Sequence, residues 1–146
     1  MSEAELQANI ALYLKTNYPG VLFHSDFGSG IKLQPWQARA QKIQNGGRRA
    51  WPDMFIAEPR TLKIGETKFE DVEQDYAGLF IELKKEGTRL KKKNGEWATS
   101  HIEEQANVLE TLRQKGYKAE FAVGIFEATD LIDEYLGGDN NGYVVY

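Results

Sequence analysis

Gly78-Leu79-Phe80-Ile81-Glu82-Leu83-Lys84 is the stretch whose reading decides the fold. Its apolar run with a polar end predicts a buried central strand. Side chains alternate faces along a strand, so Glu82 and Lys84 share one face and Leu83 takes the other. Two opposite charges at the end of an apolar strand need a reason, because burying charge is expensive. Either they pair with each other, as an edge-strand salt bridge worth little, or they address something outside the sheet. Upstream, Trp51-Pro52-Asp53 opens a second strand candidate, residues 53–57. If these two strands are neighbours, Asp53 and Glu82 converge. Two carboxylates held together repel, which raises one pKa, and a hard divalent cation removes that penalty. Few oxygen ligands suit Mg²⁺, which keeps several waters for a substrate phosphate. Lys84 would stand beside such an ion as a donor to a phosphate oxygen or to the attacking water.

Working outward, residues 2–17 read as a helix, with Ser2 as N-cap and Glu5 completing a capping box. Leu6, Ile10, Tyr13 and Leu14 recur at helical spacing, and Tyr18-Pro19-Gly20 stops the run. About the axis, Glu3 lies about 35° from the centre of the apolar face and Glu5 about 125° from it. Glu3 and Gln7 are therefore expected to look inward, and Glu5 to face solvent. Residues 21–24 read as a short extended piece and residues 27–30 as a loop. Residues 35–44 read as a second helix, stopped by Asn45-Gly46-Gly47.

The polar, mostly acidic stretch 58–77 is expected to be an insertion or a long hairpin tip. Residues 89–98 read as a basic loop around Asn94-Gly95. Ser100 is expected to cap the following helix, with Glu103 completing a capping box and Ile102, Ala106, Leu109 and Leu112 on its apolar face. Residues 119–126 read as another buried strand, Thr129 as the cap of a last short helix, and residues 137–146 as a C-terminal tail. Helix, strands, helix, strand, helix gives a single α/β domain with helices flanking a mixed sheet.

Composition bounds the chemistry. A chain of 146 residues, 41% hydrophobic and 27% charged, is ordinary for a globular domain. With no cysteine, thiol catalysis, disulfides and cysteine zinc sites are excluded. No stretch approaches the roughly 18 apolar residues of a membrane span, and MSEAELQANI lacks the pattern of a secretory signal. A cytoplasmic location is expected. The formal charge of -4 argues weakly against a nucleic-acid partner, but the cations are grouped. Arg39, Lys42, Arg48 and Arg49 form one set; Lys84, Lys85, Arg89, Lys91, Lys92 and Lys93 form another.

Pro52-Asp53 followed by Glu82-Leu83-Lys84 in an apolar strand resembles the PD-(D/E)xK nuclease superfamily. Glu3 through Gln7, Gly46-Gly47, and Gln105 leading Leu109, Leu112 and Gly116-Tyr117 narrow the resemblance to the VRR-NUC family, in its stand-alone, phage-type form. The resemblance runs from Glu3 to about Leu136. It implies a restriction-endonuclease-like α-β-β-β-α-β core and a metal-dependent endonuclease acting on DNA, on branched or Holliday-junction structures in some members. It further implies Mg²⁺ or Mn²⁺ held by Asp53, Glu82 and the backbone carbonyl of Leu83. Lys84 matches the catalytic lysine, Glu3 the first-helix acid and Gln105 the glutamine near the site. The 58–77 stretch departs from the pattern, since a short connection is expected there.

Arg48, Arg49, Lys85, Lys91, Lys92 and Lys93 flank the motif strands and are candidate phosphate contacts, although charge runs are usually solvated surface. His24, His101 and the three tryptophans read as structural, with Trp97 the one candidate for base stacking. Cutting a junction usually requires two sites, so a homodimer is expected, with no organic cofactor. The alternative is a non-catalytic DNA-binding module that keeps a nuclease fold.

Overall fold

The structure is a computed structural model, and it describes residues 1–26, 32–47, 50–64 and 72–137. The element order is α1 (Glu3–Asn17), β1 (Phe23–Ser25), α2 (Pro35–Gln44), β2 (Met54–Ile56), β3 (Arg60–Ile64), β4 (Val72–Tyr76), β5 (Leu79–Lys84), α3 (Ser100–Gln114), β6 (Lys118–Val123) and α4 (Gly124–Gly137). The main sheet runs β1-β2-β5-β6, with β1-β2 and β2-β5 antiparallel and β5-β6 parallel. The sheet is therefore mixed, as expected, and α1-β1-β2-β5-α3-β6 is the α-β-β-β-α-β core.

Alternation along β5 divides the sheet into two chemistries. Leu79, Ile81 and Leu83 are buried with Met54, Ile56 and Ala122 against Leu6, Ile10 and Leu14 of α1 and Ala128, Ile132 and Leu136 of α4. Phe80 and Phe121 point to the opposite face, against Val108, Leu109 and Leu112 of α3. Removing each such aliphatic side chain from water contributes about 1.5–3 kcal/mol. That burial holds β5 in a register that also fixes where its even-numbered residues point.

Gly78, just before β5, shows how closely β2 is packed there. A Cβ at this position would lie 2.7 Å from the Phe55 ring and 2.9 Å from the Ile56 carbonyl. Phe55 is itself stacked on Phe80, with centroids 4.4 Å apart. Across the other face, Asp133 of α4 accepts hydrogen bonds from Tyr13 (2.5 Å) and Tyr18 (2.7 Å), tying α4 to the first helix.

Stretch 58–77, expected as an insertion or a long hairpin tip, carries β3 and β4, paired antiparallel as a separate two-stranded sheet. Of its ten strand residues only Leu62 is buried, so the alternation that marks a half-buried strand never develops. Thr99, not Ser100, caps α3: its hydroxyl accepts from the Ile102 amide at 3.1 Å, which leaves Glu103 one place beyond the capping-box position. Thr129 caps nothing. Strand β6 stops at Val123, and Gly124 at φ 83° turns the chain straight into α4. Ile125 and Phe126 thus belong to a helix, despite their β-favouring side chains.

The α1 capping box is partly formed. Ser2 Oγ accepts from the Glu5 amide and donates to the Glu5 carboxylate, each at 3.1 Å, in place of the backbone return bond. The loop expected at 27–30 and the tail beyond residue 137 lie outside the described residues. Among those described, no helix is long and apolar enough to cross a membrane.

Candidate active site

The register Met54↔Ile81 places Asp53 opposite Glu82 by one further step along the antiparallel pair. Asp53, Glu82, Lys84 and Gln105 are all buried, with relative exposures of 9%, 4%, 7% and 5%. They lie on the α3 face of the sheet, where α3 delivers Gln105 from the side. The Asp53 carboxylate accepts a hydrogen bond from the Leu83 amide at 2.8 Å. Glu82 Oε1 accepts from the Gln105 amide nitrogen at 2.7 Å and faces the Lys84 ammonium at 3.8 Å. The internal pairing raised by the sequence is therefore present. It is buried rather than on the surface, and it includes a second carboxylate that the ammonium alone does not balance.

The electrostatics follow from that imbalance. Burial drives the Glu82 pKa up from 4.5 to about 9, and the Asp53 charge pushes the same way. The Lys84 ammonium opposes both, a hydrogen bond to the Asp53 carboxyl favours the protonated form, and the charge of Glu3 adds to the rise. Among the described residues, two polar atoms of the cluster, Glu82 Oε2 and Gln105 Oε1, are buried and accept no hydrogen bond. Buried acceptors are normally satisfied. The site thus presents bare oxygens where two neighbouring carboxyls cannot both ionise without a further cation, an arrangement that a hard ion fits. Among the described residues no three acidic or histidine side chains form a ready-made cage. An ion here would rest on two carboxylates, backbone oxygen and solvent, the sparse protein ligation usual for Mg²⁺.

Glu3 is half-buried at the start of α1 and Glu5 is exposed, as the helical angles predict. Gln7 is buried and donates to Ser25 Oγ (2.6 Å) and to the Asp26 carbonyl (2.7 Å). The Asp26 amide in turn donates to the Asp53 carbonyl at 2.8 Å. Ser25 and Asp26 are neighbours of the site that the sequence reading did not single out. The signal was a polar pair closing the extended piece that comes to lie beside Asp53.

The cationic candidates separate. Lys85, Lys91, Lys92 and Lys93 are exposed on the chain leaving β5, directly after Lys84. Within that group, Lys91 sits 4.7 Å over the Trp97 ring and Lys92 is 4.0 Å from Glu96. Trp97 also packs 5.8 Å from Phe121, in keeping with a packing role. Arg48 and Arg49 lie outside the described residues. His24 and His101 are exposed.

No family model matches the chain, and no curated protein matches it. Among solved structures it is similar to one described as a VRR_NUC domain protein, at a TM-score of 0.58 and 22% identity, over 100% of this chain and 98% of that one. The chain thus has the fold of a VRR_NUC domain protein from end to end, the fold that its strand-end acids and lysine resembled.

Proposed function

We propose that the chain is a VRR-NUC nuclease that hydrolyses DNA phosphodiester bonds with the help of Mg²⁺ or Mn²⁺. The observation that carries this reading is the buried meeting of Asp53, Glu82 and Lys84, with Glu82 Oε2 left unsatisfied. Asp53, Glu82 and the Leu83 carbonyl would hold the ion. When bound, it supplies Lewis-acid polarisation of a phosphate oxygen and a more acidic water.

The protein's own groups divide the remaining work. Asp53 is anchored by the Leu83 amide, so its position is set by the strand that carries Glu82. Gln105 fixes the Glu82 carboxylate through Oε1, leaving Oε2 free to ligate. Lys84 presents a compact ammonium, suited to stabilising charge that develops on the phosphoryl oxygens. Burial lowers the local dielectric and strengthens that interaction. Glu3 contributes charge from the end of α1. The cations after Lys84 would bind flanking phosphates. A branched or junction substrate and a homodimer are the finer parts of the proposal, and they rest on the family resemblance.

The test is cleavage of plasmid and four-way junction DNA in Mg²⁺ or Mn²⁺, comparing the wild type with Asp53→Ala and Lys84→Ala. Asp53→Ala is expected to abolish detectable cutting, and Lys84→Ala to slow it severely. Unchanged activity in both refutes the assignment. DNA binding by the wild type without cleavage in either metal replaces it with the non-catalytic module.

A further inference from the structure

Helix α2 is unlike α1, α3 and α4: none of its residues is buried. Gln37, Ala40 and Gln41 are half-buried and mark its inner side. At 100° per residue the opposite side is centred on Arg39 and Lys42 and flanked by Trp36 and Ile43. Trp36 is 65% exposed and Ile43 78%. An amphipathic helix that serves only to fold a domain puts such residues inward.

The charge pattern says what this face would meet. From Phe27 to Pro52 there is no aspartate or glutamate, while Lys32, Arg39, Lys42, Arg48 and Arg49 all fall in that stretch. The segment is thus wholly cationic in a chain whose formal charge is -4. Its ends are fastened to the site. The Asp26 amide bonds the Asp53 carbonyl at 2.8 Å where the segment leaves. Where it returns, the Trp51 indole N–H donates to the Asn45 carbonyl at 3.4 Å. The Trp51 ring lies 6.2 Å from Phe80, which shares the Glu82 face of β5.

We infer that the outer face of α2, built on Arg39 and Lys42 with Trp36 beside them, is a docking surface for the DNA backbone flanking the bond at the Asp53–Glu82–Lys84 site. This choice of polyanion rests on the nuclease reading. The cations supply phosphate contacts, which position a duplex without reading its sequence. The exposed tryptophan offers an aromatic surface for sugar or an unstacked base.

The experiment is fluorescence anisotropy of a labelled DNA duplex in Ca²⁺ across a salt series, for the wild type, Arg39→Ala/Lys42→Ala and Trp36→Ala. Cleavage in Mn²⁺ and size-exclusion mass are measured on the same samples. The double variant is expected to bind about 10-fold or more weakly, with a log–log salt slope shallower by about 2, one unit for each lost phosphate contact. Its melting temperature should not change, because both side chains are exposed. Equal affinity and slope in the double variant overturn the inference. So does a fall from dimer to monomer at unchanged affinity, which would make the face a contact between copies. A wild type that cuts DNA while its α2 variants bind normally defeats this inference alone. A wild type that binds through α2 but never cuts defeats the nuclease reading alone.

Discussion

Replacing Glu82 by glutamine should make the metal-free protein more stable at neutral and alkaline pH, although it removes a residue at the centre of the site. In the folded chain Glu82 keeps its proton up to about pH 9, because burial and the Asp53 charge disfavour the carboxylate. In the unfolded chain it loses the proton near its ordinary value of 4.5. Between these two values the folded state binds more protons than the unfolded state, so stability falls as pH rises. The favourable contribution is complete below pH 4.5 and lost as pH climbs through about 9. At pH 7 the accumulated loss is on the order of 3 kcal/mol, or about 6–12 °C of melting temperature at this chain length. Glu82→Gln keeps the shape and the acceptor for Gln105 but cannot ionise, so the variant should lose most of the slope. Thermal unfolding followed by circular dichroism, from pH 4.5 to 9 in chelator, reads both curves. Parallel curves for the two proteins refute the reasoning. Adding Mn²⁺ should recover stability for the wild type at high pH, since ligation favours the deprotonated carboxylate, and should do little for the variant.

Other substitutions probe the fold and the site separately. Lys84→Ala should lower the cleavage rate by about 10²–10³, the usual effect of deleting one electrostatic stabiliser, as read in single-turnover assays. Gln105→Ala removes the amide donor that fixes the Glu82 carboxyl; weaker Mn²⁺ binding by calorimetry, with the fold intact by circular dichroism, is expected. Gly78→Ala forces a methyl against the Phe55 ring and the Ile56 carbonyl and should cost about 1–3 kcal/mol in urea unfolding. Asp133→Ala removes the acceptor shared by the Tyr13 and Tyr18 hydroxyls and should cost about 2–4 kcal/mol in urea unfolding, at 1.5–3 kcal/mol per hydrogen bond to a charged group with partial compensation by water.

The parts of the molecule legible in the sequence are those where burial imposes a period. The β5 strand and the apolar faces of α1 and α3 carry such a pattern; α2, with no buried residue, was legible instead from its stop at Asn45. The meeting of Asp53 with Glu82 followed from one inference, that β2 and β5 are neighbours, because antiparallel register then does the rest. The β3–β4 hairpin was not legible as strands because nearly every side chain in it faces water. The start of α4 was hidden by Ile125 and Phe126, which favour strands until Gly124 reverses the backbone. Thr99 and Ser100 are both competent caps, and only the extended backbone at Thr99 decides between them. The contribution of Ser25 and Asp26 depended on a side chain reaching across from α1, which no local pattern encodes.

The alternation along β5 has a consequence for how this protein can change over time. Its odd-numbered side chains anchor the larger apolar core and its even-numbered ones carry the reactive groups. Sliding the strand by a single position would thrust two charges into oil and bare three aliphatics to the ligand. Slippage is therefore penalised by the whole core at once. Mutations elsewhere can loosen the molecule, but the relative placement of the two acids should survive until the sheet itself comes apart.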